Sequence, residues 1–333
     1  MKIVHQKGNS EIAIEEMAIP TPGPGEVIVK TVVSALCGSE MGTYRKEGLP
    51  AGNNGHEAAG IVAQLGEGVT AMKVGDRVGV SAIAGCNHCD YCKKGQYTWC
   101  DHFKFFGHMH AEYFKIEALA CHKLPADVPW EVAVLITGDG LGVPYHTSTK
   151  LRSEEIQNVA VFGLGPIGLG EILVQKHLGR RLIGVDRSPE RIALAKKLGA
   201  AETILVTEGL DVPAAIKALT GGKGADVCIE AAGVPATAHQ CFASVRKGGT
   251  VVFNGEQPAL PLSPSDDFIR RDITAVGSWF YHFNEYPAML EAYRNGLPVA
   301  SLVTHKLPLS RASEAFRLMG DGKTGKVLLE YTA

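Results

Sequence analysis

The sequence predicts an α/β protein of two domains, one β-rich and one in which strands and helices alternate around a parallel sheet. Its 333 residues are too many for one typical core and suit two domains. The first portion carries short β-like runs separated by clusters of proline and glycine, as in residues 20–33. From residue 159 to about Val276, strand-like and helix-like runs alternate, and this order predicts parallel strands.

The composition is that of an ordinary globular chain. Hydrophobic residues make up 45% and charged residues 20%, which excludes a disordered or low-complexity protein. The formal net charge is −2 and no basic run occurs, so neither nucleic acid nor an anionic membrane is expected as a partner. The first residues lack the apolar core of a signal peptide, and no long apolar stretch follows. We therefore expect a cytoplasmic protein.

A strand, a glycine turn and a helix form the strongest local pattern. Three glycines in G-x-G-x-x-G spacing follow the apolar run 159–162. The first permits a sharp turn, the second lets the backbone approach a pyrophosphate, and the third lets the helix pack on the strand. The phosphates then meet the helix N-terminus, which favours an anion. The residues that we expect to contact a dinucleotide here are Gly163, Gly165, Pro166, Ile167 and Gly168.

An acidic residue closes the next predicted strand, 181–186. Asp186 lies about 20 residues beyond the glycines, where a carboxylate can accept both ribose hydroxyls. Because this carboxylate would repel a 2′-phosphate, NAD is favoured over NADP. Arg187 and Arg191 lie close enough in sequence to weaken that preference. The alternative role for Asp186 is that of an acid at the N-terminus of the helix predicted from Ser188.

Four closely spaced cysteines indicate a metal site. The spacing C-x2-C-x2-C-x7-C lets four thiolates surround one Zn²⁺ at roughly 2.3 Å each. Four protein ligands leave no open position, so this zinc would be structural. A disulfide pair or a redox cluster is the alternative. We expect His88, inside the loop, to be solvated. The four cysteines are Cys86, Cys89, Cys92 and Cys100.

A second candidate metal set is dispersed along the chain. Cys37 follows a predicted strand, and His56, nineteen positions later, lies with Glu57 in a glycine-rich turn. Taken singly, each is better explained by packing, since a lone cysteine is usually a small buried hydrophobe. Taken together, a thiolate and an imidazole suit Zn²⁺, and a catalytic zinc needs three protein ligands and one open position.

With these motifs in hand, the chain resembles the zinc-containing medium-chain dehydrogenases, the alcohol and polyol dehydrogenase family, over nearly its whole length. The motifs that carry the resemblance are 37–39, 55–57, the four-cysteine lobe and the glycine turn. Segments 224–230 and 247–252 also look like this family. The resemblance implies a homo-oligomer, either a dimer or a tetramer.

The resemblance also implies a domain organisation. A GroES-like, β-rich catalytic domain would comprise residues 1–147 and 284–333, and would carry the structural zinc lobe at 86–100. A Rossmann domain that binds NAD would comprise residues 148–283.

A third ligand for the catalytic zinc follows from the resemblance. The family places a Cys, Glu or Asp seven residues before a His, Gly or similar residue, and Asp139 has this offset from His146. The implied ligands are Cys37, His56 and Asp139. Glu57 would lie behind the metal or serve as an alternate ligand. The other interpretation of Asp139 is a turn or N-cap acid.

The chain departs from the family at the proton relay. Many members carry a histidine five residues after the first cysteine, where this chain has Gly42. Ser39 can still accept a hydrogen bond from the substrate alcohol. Its onward partner could be a ribose hydroxyl, water or Tyr44.

The implied function is a zinc-dependent oxidoreductase that prefers NAD, holds two zinc ions per chain, and interconverts an alcohol with its ketone or aldehyde. A secondary alcohol or a polyol is the expected small-molecule substrate. One alternative is a quinone or alkene reductase without catalytic zinc. The other is a non-catalytic homologue that keeps only the structural zinc. Two, none and one bound zinc per chain distinguish the three hypotheses.

Later segments predict further elements. A helix is expected over 188–197 with Ser188 as its N-cap, and the chain ends in a helix at 311–319 and a strand at 326–330. The aromatic segment 277–283 is predicted either to line the substrate cleft or to form an edge strand that joins subunits.

Overall fold

The computed structural model describes residues 1–331, which divide into two compact units. The first comprises Met1–Gly142 and the described residues from Tyr281 onward, and the second comprises Val143–Phe280. The predicted α/β class is confirmed, because one unit is β-rich and the other holds a parallel sheet.

Seventeen strands occur within the described residues. They are β1 (Lys2–Gly8), β2 (Glu11–Glu16), β3 (Glu26–Ala35), β4 (Glu57–Leu65), β5 (Arg77–Val80), β6 (Ile83–Ala84), β7 (Lys104–Phe105), β8 (Tyr113–Glu117), β9 (Cys121–Lys123), β10 (Asn158–Phe162), β11 (Arg181–Asp186), β12 (Glu202–Leu205), β13 (Ala225–Glu230), β14 (Val245–Phe253), β15 (Thr274–Gly277), β16 (Val303–Pro308) and β17 (Lys326–Glu330).

The α-helices of the described chain are mostly short. They are α1 (Glu40–Arg45), α2 (Asp90–Lys93), α3 (Trp130–Ile136), α4 (Asp139–Lys150), α5 (Pro166–His177), α6 (Pro189–Lys197), α7 (Val212–Leu219), α8 (Pro235–Ser244), α9 (Tyr286–Arg294) and α10 (Ala312–Gly320). Within residues 1–331, none of the helices combines the length and the apolar character that crossing a bilayer requires.

A mostly antiparallel sheet forms the centre of the first unit. Its strands follow the order β16, β17, β3, β4, β5 and β9, with β8 also paired to β3. The long β3 pairs antiparallel with β4, β8 and β17. Its alternating apolar residues bury one face against the neighbouring strands, where Val27, Val29, Val62, Val78 and Phe114 share one core.

A parallel sheet forms the second unit, in the order β12, β11, β10, β13, β14 and β15. Helices connect its strands, as a parallel sheet requires. In the central pairing, Val159 of β10 lies opposite Leu182 of β11 and Val227 of β13. Since β10 and β11 run side by side, the glycine turn after β10 and Asp186 at the end of β11 lie at the same edge.

The predicted local elements agree with the structure at several points. Ser188 is the N-cap of α6 and its side chain accepts the backbone N–H of Arg191, so the predicted start of this helix is confirmed. The last strand matches its predicted bounds, and α10 begins one residue later than predicted. The aromatic segment 277–283 is not a single strand, because β15 ends at Gly277. Within this segment, the Tyr281 side chain is buried.

A buried carboxyl group on α5 links the stability of the second unit to pH. Glu171 has no exposed surface, and Gln175 donates a hydrogen bond to its Oε2 atom at 3.0 Å. Burial raises the pKa of Glu171 to about 8, since a charged carboxylate is poorly solvated there. The group is therefore protonated in the folded protein at neutral pH.

Glu171→Gln is expected to stabilise the protein at alkaline pH. The folded chain holds the proton of Glu171 up to about pH 8, whereas the unfolded chain loses it near pH 4.5. Between these values the parent loses up to about 1.4 kcal/mol of stability per pH unit. Thermal midpoints at pH 5, 7 and 9 should favour the variant least at pH 5, more at pH 7 and most at pH 9, with the gain levelling off above about pH 8. An unchanged difference across the range would contradict the prediction.

Candidate functional site

The four-cysteine lobe brings its predicted residues together. The sulfur atoms of Cys86, Cys89, Cys92 and Cys100 lie within 4.8 Å of one another, and all four thiols are free. Cys89 caps the short helix α2, which contains Cys92. His88 is exposed and its Nδ1 contacts the carbonyl of Cys86 at 2.7 Å, so this histidine lies outside the sulfur set.

The environment of the lobe fits a closed zinc site. The backbone N–H groups of His88 and Cys89 lower the pKa of the Cys86 thiol to about 6. Burial raises the pKa of Cys92 to about 12. A cation would have to stabilise the thiolate of Cys92, and a tetrahedral set of four sulfurs is a zinc ligand set.

Cys37, His56 and Asp139 meet in a buried cluster of the first unit. β3 and β4 are antiparallel with Ala35 opposite Glu57, so the chain just after β3 and the chain just before β4 lie at one edge of the sheet. Asp139 is the first residue of α4. Its Oδ2 atom lies 3.0 Å from His56 Nε2 and 3.4 Å from Cys37 Sγ. All three residues are at most 5% exposed.

The donor atoms of this cluster fit a zinc ion. Asp139 Oδ1 is buried and has no hydrogen-bond partner among the described residues. His56 Nδ1 lies 2.9 Å from the carbonyl oxygen of Asn54. Because a carbonyl only accepts, Nδ1 carries the hydrogen, and Nε2 is the nitrogen that can bind a metal. A thiolate, an imidazole and a carboxylate leave one position open on a tetrahedral zinc.

Neighbouring charges control protonation in the cluster. Burial raises the pKa of the Cys37 thiol, and the charge of Asp139 raises it further. Burial lowers the pKa of His56, but the hydrogen bonds to Asp139 and Cys37 and the charges of both partners together raise it well above its ordinary value. Burial raises the pKa of Asp139, but the hydrogen bonds from His56 and Cys37, together with the charges of His56 and Lys326, lower it overall. The cluster therefore favours a positive charge at its centre, which an imidazolium or a metal ion can supply.

Glu57 lies beside this cluster but pairs with a lysine. Its Oε1 atom forms an ion pair with Lys326 Nζ, and its Oε2 atom accepts the Gly140 N–H at 3.2 Å. Lys326 has no exposed surface and Glu57 is 1% exposed. Burial lowers the pKa of Lys326, but the negative charges of Glu57, Cys37 and Asp139 and the hydrogen bond to Glu57 together raise it above its ordinary value. A Cβ at Gly138 would lie 2.8 Å from Glu57 Oε2, so this position requires glycine.

The glycine turn of the second unit has the geometry that a close ligand requires. Gly163 has φ +86°, which favours glycine, and a Cβ at Gly168 would lie 1.8 Å from the carbonyl oxygen of Gly163. Gly165 caps α5, and a Cβ there would meet no atom closer than 3.8 Å. The turn therefore leaves open space at the helix N-terminus. Pro166 and Ile167 form the first turn of α5.

Asp186 and one arginine lie beside the glycine turn. The carboxylate of Asp186 accepts the backbone N–H of Leu164 at 2.6 Å and that of Ser188 at 2.8 Å. The Arg191 guanidinium lies 3.8 Å from where a Cβ at Gly165 would be. Arg187 is exposed. The structure thus brings an acidic and a basic side chain to the turn.

Comparison with known proteins places the chain in a family. Residues 23–126 match the family model described as "Alcohol dehydrogenase GroES-like domain", and residues 166–295 match "Zinc-binding dehydrogenase". A sorbitol dehydrogenase from Bacillus subtilis is 31% identical, with 95% of this chain and 92% of the relative covered. An L-threonine 3-dehydrogenase from Pyrococcus furiosus is 33% identical, with 94% of this chain and 93% of the relative covered.

The chain belongs to the zinc-type medium-chain alcohol and polyol dehydrogenases. A solved structure supports the same conclusion: an alcohol dehydrogenase from Thermus sp. ATN1 matches with a TM-score of 0.89 at 28% identity, covering 100% of both chains. The predicted family, the GroES-like domain and the Rossmann-type parallel sheet are therefore confirmed. As an oxidoreductase of this family, the protein is expected to bind zinc and NAD(H).

The residues that the sequence predicts for a proton relay lie on or near α1. Ser39 is exposed at the N-terminus of α1 and makes no side-chain cap hydrogen bond. Gly42 lies in α1, where a Cβ would meet no described atom within 4 Å. Tyr44 is 5% exposed, and its ring packs against Phe316 with centroids 5.5 Å apart. Tyr44 thus belongs to a packed core.

Sequence reasoning missed several residues at this site. The sequence predicts Lys326 only as the first residue of the last strand, and its one signal is that a lysine opens the apolar run KVLL. Glu40 lies three residues after Cys37 and accepts its backbone N–H at 2.8 Å. Burial raises the pKa of Glu40, but the charge and hydrogen bond of His110, the charge of His56 and the backbone N–H of Cys37 together lower it. The ring of Phe105 lies 5.4 Å from that of His56, and no sequence signal indicated this contact.

Lys326→Met is expected to destabilise the first unit by roughly 3–5 kcal/mol, because it leaves the Glu57 carboxylate buried without its charged partner. The double variant with Glu57→Gln removes both charges and should recover most of the loss. Urea unfolding of the two single variants and the double variant measures this coupling. Additive effects of the two substitutions would show that the ion pair does not contribute.

Proposed function

We propose that this chain oxidises a secondary alcohol or a polyol with NAD as the hydride acceptor, or catalyses the reverse reaction. The observation that carries the proposal is the buried set of Cys37, His56 and Asp139, with one Asp139 oxygen unpartnered. The sorbitol and L-threonine dehydrogenases among its relatives add support, since both named substrates carry hydroxyl groups on secondary carbons.

The ligands and their neighbours define what the site can do. Zinc held by Cys37, His56 and Asp139 would act as a Lewis acid on the alcohol oxygen, while NAD would take the hydride. The two anionic ligands balance the charge of a divalent ion, and Lys326 balances Glu57 separately. Phe105 is 47% exposed beside His56, so its ring gives the site an apolar wall.

Ser39 is the proposed acceptor of the substrate proton. It lies two residues from Cys37 and is exposed, so its hydroxyl can pass a proton on to water. Because Gly42 has no side chain and Tyr44 is buried, neither supplies the onward step. A direct transfer from Ser39 to solvent fits the exposure of its hydroxyl.

The glycine turn and Asp186 are the proposed cofactor site. The N-terminus of α5 would face the pyrophosphate, and the Asp186 carboxylate would accept the ribose hydroxyls. Arg191 lies close enough to contact a phosphate group. NAD remains the preferred cofactor in this proposal, because the carboxylate disfavours a 2′-phosphate. A dimeric or tetrameric assembly remains a prediction from the family resemblance.

Two zinc ions per chain are part of the proposal. The second, held by the four cysteines of the lobe, would stabilise that lobe without taking part in the reaction. The two alternative hypotheses are a reductase without catalytic zinc and a non-catalytic homologue. Neither gives a role to the buried set of Cys37, His56 and Asp139.

Cys37→Ser is expected to abolish turnover while leaving NADH binding intact, because the cofactor contacts lie on the glycine turn of the second unit. NADH formation is followed by absorbance with polyols, secondary alcohols, amino alcohols and primary alcohols, and NADH binding by fluorescence. Cys121→Ser, which alters a buried cysteine outside both metal sets, is the matched control and should retain activity. Turnover of the Cys37 variant within a few-fold of the parent would contradict the assignment.

Asp186→Ala is expected to lower kcat/KM for NAD⁺ by roughly 10- to 100-fold, because a hydrogen bond to a charged group is worth about 1.5–3 kcal/mol. NADP⁺ should lose far less, so the NAD⁺/NADP⁺ preference narrows. Steady-state kinetics with both cofactors measure the ratio. An Asp186 variant that loses efficiency equally with both would show that the residue acts only in folding the turn.

A further inference from the structure

A second buried acid–base pair lies behind Cys37. Glu40 and His110 have no exposed surface, and His110 Nε2 donates to Glu40 Oε2 at 2.9 Å. The other ring nitrogen of His110 contacts Ser34 Oγ at 2.8 Å, and Ser34 Oγ in turn contacts the Tyr331 hydroxyl at 3.0 Å. Both ring nitrogens are therefore satisfied, which fixes the orientation of the imidazole.

The backbone around His110 is built to hold this ring. Asn53 binds both backbone groups of His110: its Oδ1 accepts the N–H at 3.2 Å, and its Nδ2 donates to the carbonyl at 3.3 Å. A Cβ at Gly55 would lie 2.4 Å from His110 Cδ2. Only glycine at this position leaves room for the ring, and Gly55 immediately precedes His56.

Glu40 connects this pair to both ends of the candidate zinc site. Its Oε1 atom accepts the backbone N–H of Cys37 at 2.8 Å. Its Oε2 atom also accepts Gln6 Nε2 at 3.5 Å, and Gln6 Oε1 accepts the Asn54 N–H at 3.0 Å. The carbonyl of Asn54 in turn accepts His56 Nδ1. A chain of hydrogen bonds, buried at Gln6 and partly buried at the Asn54 backbone, thus connects the Cys37 backbone with the His56 ring.

We infer that Glu40 and His110 are positioning residues that set the relative placement of Cys37 and His56. The inference rests on the proposed function, in which these two residues bind zinc. The carboxylate holds the turn that carries the thiol, and the imidazole holds the carboxylate in place. Removal of either partner would leave a buried polar group unsatisfied and free the turn to move.

The test uses the full chain, stripped of metal and loaded with Co²⁺, in Glu40→Gln and His110→Leu. The parent and each variant are also prepared with Cys37→Ser, and the spectrum of this second protein is subtracted from that of the first. The difference is the thiolate-to-cobalt absorption that depends on Cys37, without the contribution of the four-cysteine lobe. Chelator competition then gives the Co²⁺ affinity. We expect a loss of about 10- to 100-fold in both variants, with a shifted absorption band.

Conservative variants and kinetics separate positioning from a general structural role. His110→Gln keeps an N–H donor and should stay within a few-fold of the parent in Co²⁺ affinity. In the zinc enzyme, kcat should fall in His110→Leu while KM for NAD⁺ stays constant, because the cofactor contacts are untouched. Glu171→Gln, a buried glutamate in the second unit, is the matched control and should leave the band and the affinity unchanged.

The outcomes distinguish the inference from the proposed function. If Glu40→Gln does not fold, Glu40→Asp is used instead, because it keeps the negative charge but withdraws it by one methylene. Glu40→Asp is also expected to lower the Co²⁺ affinity. If both variants bind Co²⁺ within about twofold of the parent and with the same band, the inference is wrong and the proposed function stands. If the parent has no band that depends on Cys37, the proposed function itself fails, and the inference fails with it.

Discussion

Compensation of buried charge is the constraint on which the first unit depends. Cys37, Asp139 and Glu57 place potential negative charges within one small, almost fully buried volume. Isolated charges in such a place would cost several kcal/mol each, so each must have a partner. Lys326 neutralises Glu57, while a proton or a metal ion at His56 Nε2 would neutralise Cys37 and Asp139. With Glu57 paired to Lys326, three side chains, those of Cys37, His56 and Asp139, are available to bind a cation.

The chain achieves this arrangement through register and through glycines. Antiparallel pairing of β3 with β4 delivers the first two donors at one sheet edge, and the start of α4 delivers the third. Gly138 makes room for the Glu57 carboxylate, and Gly55 makes room for the His110 ring. Around the site, glycines therefore occur where the backbone must pack closely against a charged or titratable side chain.

Local patterns in the sequence predicted the elements and most donors, but not the connections between them. The glycine turn, Asp186 and the four cysteines are close in sequence, so spacing alone indicated their chemistry. Asp139 needed the family resemblance, because it lies 83 residues from His56. Lys326 lies 269 residues from Glu57, and only tertiary folding brings the two together. His110 likewise gives no signal of its own, since neither its spacing from His108 nor its neighbours match a ligand motif.

Anomalous X-ray scattering at the zinc edge, from crystals of the zinc-replete protein, tests whether the buried donor set is a metal site. Two peaks per chain are expected, one surrounded by the four cysteine sulfurs of the lobe and one between Cys37, His56 and Asp139. In the electron density of the same crystals, Glu57 should still form its ion pair with Lys326 and should not bind the metal. A single peak, in the lobe alone, would contradict the catalytic zinc and favour a non-catalytic member of the family.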